Sequence, residues 1–356
     1  MSWLISGGCG FLGTSLIERI LKVDTAAGIR IIDDLCVGRR ADLATVCEFV
    51  ERDPESLDSP AAAGGPVELV IGDIRDFGLV QRAAQGAHAV VHLAASTGVL
   101  PSIENPRKDF EVNVIGTFNL LEAARQSSVE RFIFASSGAP LGECSPPVHE
   151  GLPARPISPY GASKLAGEGY CSAYNGSFGM NTVALRFGNV YGPGSNHKTS
   201  VVATFIKQAL AGETLVIYGD GDQTRDFIFI EDLIDAVVGA VDADVGGEVF
   251  QIASQRETTI NELATLLCET ILEVTGIDPA MRRIAPRRGE MRRNYSDISK
   301  VKAALGWQPK WNLRDGLRAT VEWFIDALGE SRIPQSANAR PIRHDKHHRT
   351  PSAEPT

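Results

Sequence analysis

The chain is short of four things, and each shortage narrows what it can be. No apolar run approaches the roughly 18 residues that a membrane-spanning helix needs. The first residues, Met1, Ser2 and Trp3, lead straight into an apolar segment without the basic region of a secretory signal. The six cysteines (Cys9, Cys36, Cys47, Cys144, Cys171 and Cys268) include no CxxC pair and no histidines at ligand spacing, so neither a disulfide framework nor a metal site is expected. Positive charge is also scarce. With 35 Lys and Arg against 44 Asp and Glu, the net charge is −9, which on average repels nucleic acid and anionic membranes. Any anionic ligand therefore needs a local pocket. No internal repeat is visible, and the expectation is a cytoplasmic protein with reduced thiols.

What is present is ordinary for a globular protein: 356 residues, 43% hydrophobic and 22% charged. Short β-branched runs at Trp3 to Ser6, Arg30 to Asp33, Glu68 to Ile71, Ala89 to Leu93, Arg131 to Ala135 and Thr182 to Arg186 alternate with amphipathic stretches. That rhythm predicts an α/β fold, a doubly wound parallel sheet of the Rossmann type. Leu12, Leu16 and Ile20 mark one face of a first helix, and a second is expected from Asp109 to Gln126. Residues 37 to 66 are rich in Gly, Pro and Arg and read as a loop with a short helix. The expected organisation is a dinucleotide-binding domain over residues 1–190, completed by a segment near 224–245, and a smaller C-terminal substrate-binding lobe over 191–330. A tail over 331–356, rich in Pro, Arg and His, is expected to be disordered.

Gly7, Gly10 and Gly13 stand between the first strand and the first helix. Glycines there permit the tight turn, let the backbone approach a pyrophosphate and let the helix pack on the strand, with its positive end toward the phosphates. Twenty residues after Gly13, Asp33 ends the next strand, placed to accept ribose hydroxyls. Its charge opposes a 2′-phosphate and favours NAD over NADP. Arg39 and Arg40, close behind, argue the other way unless they belong to a solvated loop.

Tyr160 and Lys164 are four apart on a predicted helix and so share a face. An ammonium beside a phenol lowers the pKa of the phenol and makes it a general base. Ser136 and Ser137 end a strand, where parallel sheets present residues to ligands.

Together these residues resemble the extended short-chain dehydrogenase/reductase family, in particular its NAD-dependent nucleotide-sugar epimerases and dehydratases. The motifs GGCGFLG, IGDIRD, VHLAAS, NVIGTFNLLEAAR, SPYGASK, RFGNVYGPG, GDGDQTRDFIFIEDL and PRRGEMRRNYSD carry the resemblance, over about Met1 to Asp326. It implies a catalytic Ser137, Tyr160 and Lys164. It implies cofactor contacts at Gly7, Gly10, Phe11, Leu12, Gly13, Asp33, Asp34, Asp73, Ile74, Leu93, Ala94, Ala95 and Asn113, with Tyr160 and Lys164. Substrate contacts are implied at Ser137, Asn189, Tyr218, Arg225, Arg287 and Asn294. Paired arginines suit a diphosphate in charge and in fork geometry. The resemblance also implies a homodimer through a four-helix face, and no metal.

Within that family, dehydratases carry an Asp and Glu pair just after the catalytic hydroxyl, and decarboxylases carry a Glu there. Here Gly138 and Ala139 follow Ser137, and Pro140 and Leu141 replace the usual Val and Tyr of the loop beside the sugar. The resemblance therefore points to a nucleotide-sugar 4-epimerase of the UDP-glucose or UDP-N-acetylglucosamine type, with another NAD-dependent nucleotide-sugar enzyme as the alternative. Asn294 occupies the position of a gate beside sugar C2, where a small residue admits an N-acetyl group; a one-residue slip would put Tyr295 there. Asn189, where glucuronate 4-epimerases usually place Thr, argues mildly against glucuronate. A simple ketone reductase would not need Arg225 and Arg287, and a non-catalytic NAD-binding protein would not need Tyr160 with Lys164.

Overall fold

Leu4 and Ile5 are neighbours on the first strand and point to opposite faces of it, yet both are fully buried. A strand buried on both faces belongs to a sheet covered by helices on both sides, and the computed structural model, which describes residues 1–57, 59–286 and 291–328, contains one. Strands β1 (Ser2–Ser6), β2 (Gly28–Asp33), β3 (Phe49–Arg52), β4 (Val67–Ile71), β5 (Ala89–His92), β6 (Arg131–Ser137) and β7 (Asn181–Phe187) pair in parallel. Between them run α1 (Phe11–Val23), α2 (Arg40–Ala44), α3 (Phe77–Ala83), α4 (Val99–Glu104), α5 (Pro106–Phe110), α6 (Gly116–Gln126) and α7 (Pro159–Phe178).

After β7 come β8 (Asn189–Tyr191), α8 (Val201–Leu210), β9 (Leu215–Tyr218), β10 (Thr224–Arg225), β11 (Phe227–Phe229) and α9 (Ile230–Asp242). The chain then returns to the large sheet with β12 (Val249–Ile252), parallel to β7. It finishes with β13 (Thr258–Thr259), α10 (Ile260–Thr275), β14 (Met281–Ile284), α11 (Ser299–Leu305) and α12 (Leu313–Leu328). Three small two-stranded pairings, β10 with β13, β11 with β8 and β14 with β9, build the region beyond the sheet. The expected tail, 331–356, lies outside the described residues. No described helix is long and apolar enough to cross a membrane.

The sheet order is β12-β7-β6-β5-β1-β2-β4-β3. The chain winds outward from β1 to β3 and β4, then crosses back to β5 on the other side of β1. Strand order thus reverses between β1 and β5, and the crevice at their carboxyl ends is where open α/β sheets bind ligands. One core joins Ile5, Ile31 and Val91 to α1 through Leu16, Ile17 and Ile20, and to α9. The opposite core joins Leu4, Ile32, Val90, Phe132 and Phe134 to α3, α6 and α7.

The stretch 37–66 corrects the sequence reading. It holds the short helix α2, but also β3, an edge strand of the main sheet. Phe49–Arg52 is half charged and mostly exposed, so no apolar alternation announces it. Its place comes from a partner distant in sequence. Glu68 on β4 accepts from Arg52 Nε at 3.1 Å and from Arg30 Nε and Nη2 on β2 at 2.9 and 2.7 Å. Arg30 and Glu68 are buried, and Arg30 also donates to the Ala83 and Ser59 carbonyls.

Removing one partner of such a pair leaves an uncompensated buried charge. Glu68→Ala is therefore expected to cost about 3–5 kcal/mol, read as a shift of the urea unfolding midpoint. A loss under about 1 kcal/mol, the size of an exposed ion pair, would contradict this account of how the β3 edge is held.

Candidate active site

The chain leaves β1 through Gly7, which has a φ of +75° and donates its N–H to the Ile32 carbonyl at 2.8 Å. A Cβ on Gly7 would meet Ala94 N at 2.8 Å, and one on Gly13 would run into the Gly7 carbonyl. The glycines are thus required by backbone packing at the switch point. What results is an open cradle ahead of α1, with Gly10 at its N-cap and half-buried Phe11 and Leu12 in its first turn. It fits a dinucleotide pyrophosphate, which the helix end favours by charge.

Asp33 closes one side. Its carboxylate accepts from Cys9 N at 2.9 Å and Leu35 N at 2.8 Å, binding the end of β2 to the glycine turn. Burial pushes the carboxyl up, and these two N–H groups oppose that. Asp34 is exposed and accepts from Cys36 N. Arg40 is engaged with Glu51 on the surface at 2.6 Å. Asp73 is paired with Arg75 at 2.6 Å, which holds its carboxyl low, and Ile74 is buried beside it.

Leu93, Ala94 and Ala95 follow β5, half-buried along the crevice. A buried chain of hydrogen bonds fixes them: Ser6 Oγ to His92 Nδ1 at 2.7 Å, His92 Nε2 to Thr117 Oγ1 at 2.9 Å, and Thr117 Oγ1 to the Asn113 carbonyl at 2.6 Å. Since Thr117 donates to that carbonyl, it accepts from His92 Nε2, and Ser6 donates to His92 Nδ1. His92 is thereby assigned as the neutral Nε2-H tautomer. Burial and the nearby charge of Lys164 hold it neutral, well below the usual histidine range.

Asn113 lies in a π-turn, Glu111–Ile115, between α5 and α6. The extra residue of such a turn re-aims side chains, which is why π-turns gather at functional sites. Asn113 accepts from Ser96 N at 2.8 Å and donates to the Ser96 carbonyl, to Asp109 Oδ1 at 2.8 Å and to Ser163 Oγ at 3.3 Å. It ties the loop after β5 to α7.

The three expected catalytic side chains meet where β6 ends and α7 begins. Ser158 caps α7 by accepting from Gly161 N at 3.1 Å, with Pro159 in the first turn. Tyr160 is half-buried, and its phenol is hydrogen-bonded to the Ser137 side chain. Lys164 is buried, donates to the Ala135 carbonyl at 2.8 Å, and has its Nζ 5.9 Å from the centre of the Tyr160 ring.

The electrostatics correct the simple expectation. Burial raises the Tyr160 pKa and the charge of Asp109 adds to it, against the Ser137 hydrogen bond. Burial lowers Lys164 to about 8, against the charges of Asp109 and Glu168. A lysine that sheds its proton this early, turned onto a carbonyl, does not by itself make the phenol acidic.

Several residues at the site escaped sequence reading. Glu168 follows Lys164 by four, one more turn on the same helix face. It accepts from Ser136 Oγ at 2.6 Å and, bidentately, from Arg186 Nε and Nη2 at 2.8 and 2.7 Å, all buried. This pins α7 to β6 and β7. Asp109, also buried, stands four before Asn113. In both cases the i, i+4 spacing was the available signal.

On the substrate side, Asn189 N donates to the Asp226 carbonyl at 2.9 Å. The buried Asp226 carboxylate accepts from Ser254 N and Oγ, Gln255 N and Ser296 N. Arg225 donates to the Thr224 and Met291 carbonyls, and Asn294 N donates to Thr224 Oγ1 at 3.2 Å. Tyr218, half-buried, ends β9, and its carbonyl accepts from Gln223. Val148 pairs with the Tyr295–Asp297 segment, joining the loop that follows Ser137 to Asn294. Arg287 lies outside the described residues.

This arrangement is that of a dinucleotide-dependent enzyme with a Ser-Tyr-Lys centre at a Rossmann switch point. Residues 3–253 match the NAD dependent epimerase/dehydratase family. The chain is 35% identical to the UDP-glucose 4-epimerase of Mycolicibacterium smegmatis, over 91% of this chain and 98% of that one. It is 31% identical to dTDP-glucose 4,6-dehydratase 1 of Escherichia coli, over 91% and 93%. The solved UDP-glucose 4-epimerase of Thermotoga maritima, with UDP-glucose, superposes with a TM-score of 0.81 at 32% identity, over 92% and 100%. The chain belongs to the NAD-dependent epimerase/dehydratase family, within the extended short-chain dehydrogenases/reductases, and NAD is its cofactor.

Lys164 offers a test of the site's electrostatics. Its pKa falls from 10.5, the ordinary value for a lysine, to about 8 in the folded chain. Between those values the unfolded chain holds a proton that the folded one has released, so this group's contribution to stability rises with pH across that window. By NMR of Cε-labelled lysine, the resonance lost in Lys164→Met should titrate near 8. A midpoint above 10 would contradict the burial argument.

Proposed function

We propose that the chain inverts C4 of a nucleoside-diphosphate sugar, of the UDP-glucose or UDP-N-acetylglucosamine type, through a 4-keto sugar. The observation that carries the reading is the stretch after Ser137. Gly138, Ala139, Pro140, Leu141 and Gly142 offer no carboxylate, and a side chain at Gly138 would meet nothing within 4 Å. Related dehydratases place at this point the acids that eliminate water. Here the position is open, which suits a sugar that must turn.

NAD, when bound, would supply a hydride acceptor and donor and a positively charged ring. Tyr160 takes the C4 hydroxyl proton, helped by the hydrogen bond from Ser137, and returns it to the C4 oxygen once the keto sugar has turned its other face, which is what inverts C4. The Tyr160 phenolate would draw on that charge, as well as on Lys164, for its stabilisation. Lys164 and Ser137 hold the phenol in register. Asn189, Tyr218, Arg225 and Arg287 hold the nucleoside diphosphate, so that the keto sugar pivots about a fixed linkage. Asn294 leaves room at C2 for an N-acetyl group.

Incubation with UDP-glucose, UDP-N-acetylglucosamine and UDP-glucuronate, followed by NMR of the sugar, should show C4 epimers of the first two, with N-acetyl tolerated. Loss of water or carbon dioxide, or net NADH accumulation, would overturn the reading. Tyr160→Phe should lower turnover by about 10²–10⁴, the usual worth of a general base.

The reading includes a homodimer. Phe118, Tyr170, Tyr174 and Phe178 form a ladder of ring contacts at 5.1–6.5 Å across α6 and α7. Phe118, Tyr170 and Phe178 are exposed at 38%, 40% and 54%, with Phe110 at 51% beside them. Such a patch suits a second copy of the same two helices. Sedimentation should find a dimer that Phe118→Glu converts to a monomer. A wild-type monomer at micromolar concentration would refute it.

A further inference from the structure

Two loops approach the glycine turn from opposite sides and meet beyond it. From one side comes the segment leading into α2. Gly38 is buried against the turn itself, where a Cβ would lie 2.7 Å from Gly10 N and collide with the Cys9 carbonyl. From the other side comes the loop between β8 and α8. At Gly194, whose φ is +86°, a Cβ would lie 3.4 Å from the Phe11 ring, and Lys198 Nζ sits 5.0 Å from the centre of that ring. This second loop is anchored from behind, since Lys207 on α8 donates to the Lys198 carbonyl at 2.8 Å and the Asn196 carbonyl at 3.3 Å. The tips of the two loops are joined by one contact, His197 Nε2 to Asp42 Oδ2 at 3.1 Å. The same Asp42 oxygen accepts from Arg39 N at 3.0 Å, which fixes it at the start of α2.

We propose that His197 and Asp42 form a latch between these loops, across the N-terminal end of α1, that retains the dinucleotide between turnovers. Both are positioning residues, 155 apart in sequence and outside the reacting groups. Gly10 and Phe11, which they bracket, are among the residues that the family resemblance gives as cofactor contacts. With the latch closed, the loop from the substrate side and the loop from the adenosine side are one surface, and the dinucleotide leaves only when they part. An enzyme that lends a hydride and takes it back has use for such a closure, because a cofactor lost in mid-cycle would strand the keto sugar. Either side chain is under one-third exposed, so the contact is partly sheltered from water.

The inference rests on the family's use of NAD and not on the choice of sugar. NADH release from the full-length protein, followed by stopped-flow fluorescence against a chase of NAD, tests it with no sugar present. His197→Ala and Asp42→Asn should each release NADH about three- to tenfold faster than wild type, and the double variant no faster than either single one. The thermal midpoint of His197→Ala without dinucleotide should stay close to wild type, so that faster release does not come from a destabilised fold. Release rates within twofold of wild type, or effects that add in the double variant, would overturn the latch. Because no sugar chemistry enters the measurement, its failure would leave the epimerase reading untouched, and failure of that reading would leave the latch.

Discussion

The backbone of Gly7 passes so close to that of Ala94 that no side chain can stand between them, and most of the site follows from this approach. It sets the carboxyl ends of β1 and β5 side by side at the point where strand order reverses. It leaves the end of α1 open ahead of the turn. It also brings Ser6 within reach of His92, and through His92 and Thr117 the strand ends are tied to Asn113. A polar chain this deeply buried is stable only when every member is satisfied. Here the neutral state of His92 is what satisfies it, since an imidazolium could not accept from Ser6. The cofactor crevice is therefore held open by the protein's own hydrogen bonds.

Helix α7 carries the second set of constraints on one stripe: Tyr160 toward the crevice, Lys164 under the end of β6, and Glu168 locked to Ser136 and Arg186. The buried carboxylate and guanidinium stabilise little in themselves once desolvation is counted. Their effect is geometric, because they fix how the helix lies on β6 and β7, and so where the phenol stands. Asp109, from the helix before, adds negative charge near both Tyr160 and Lys164. Burial and the charge of Asp109 thus both oppose loss of the Tyr160 proton.

The relatives include epimerases and dehydratases on the same scaffold at similar identity. One scaffold thus serves more than one reaction, so the distinction between them lies in side chains at the site and not in the fold. In the reading proposed above, the positions after Ser137 carry that distinction. There Pro140 and Leu141 are buried in the short helical turn that precedes α7.

The sequence by itself determined the features that depend on near neighbours. The β1 turn and α1 were legible because glycine spacing and a 3.6-residue apolar period are local properties, and Tyr160 with Lys164 because four residues make a helical turn. The strand β3 was hidden, since its four residues are half charged and gain their place from Glu68, sixteen positions beyond Arg52. The roles of Asp109 and Glu168 were likewise settled in space, by partners on other strands and helices. The protonation of the centre went the same way: spacing put an ammonium beside a phenol, but burial, which no spacing reports, raised the phenol and lowered the ammonium. The joining of loops through His197 and Asp42 belongs wholly to tertiary structure, because only the winding of the sheet brings residues so far apart in the chain to the two sides of one turn.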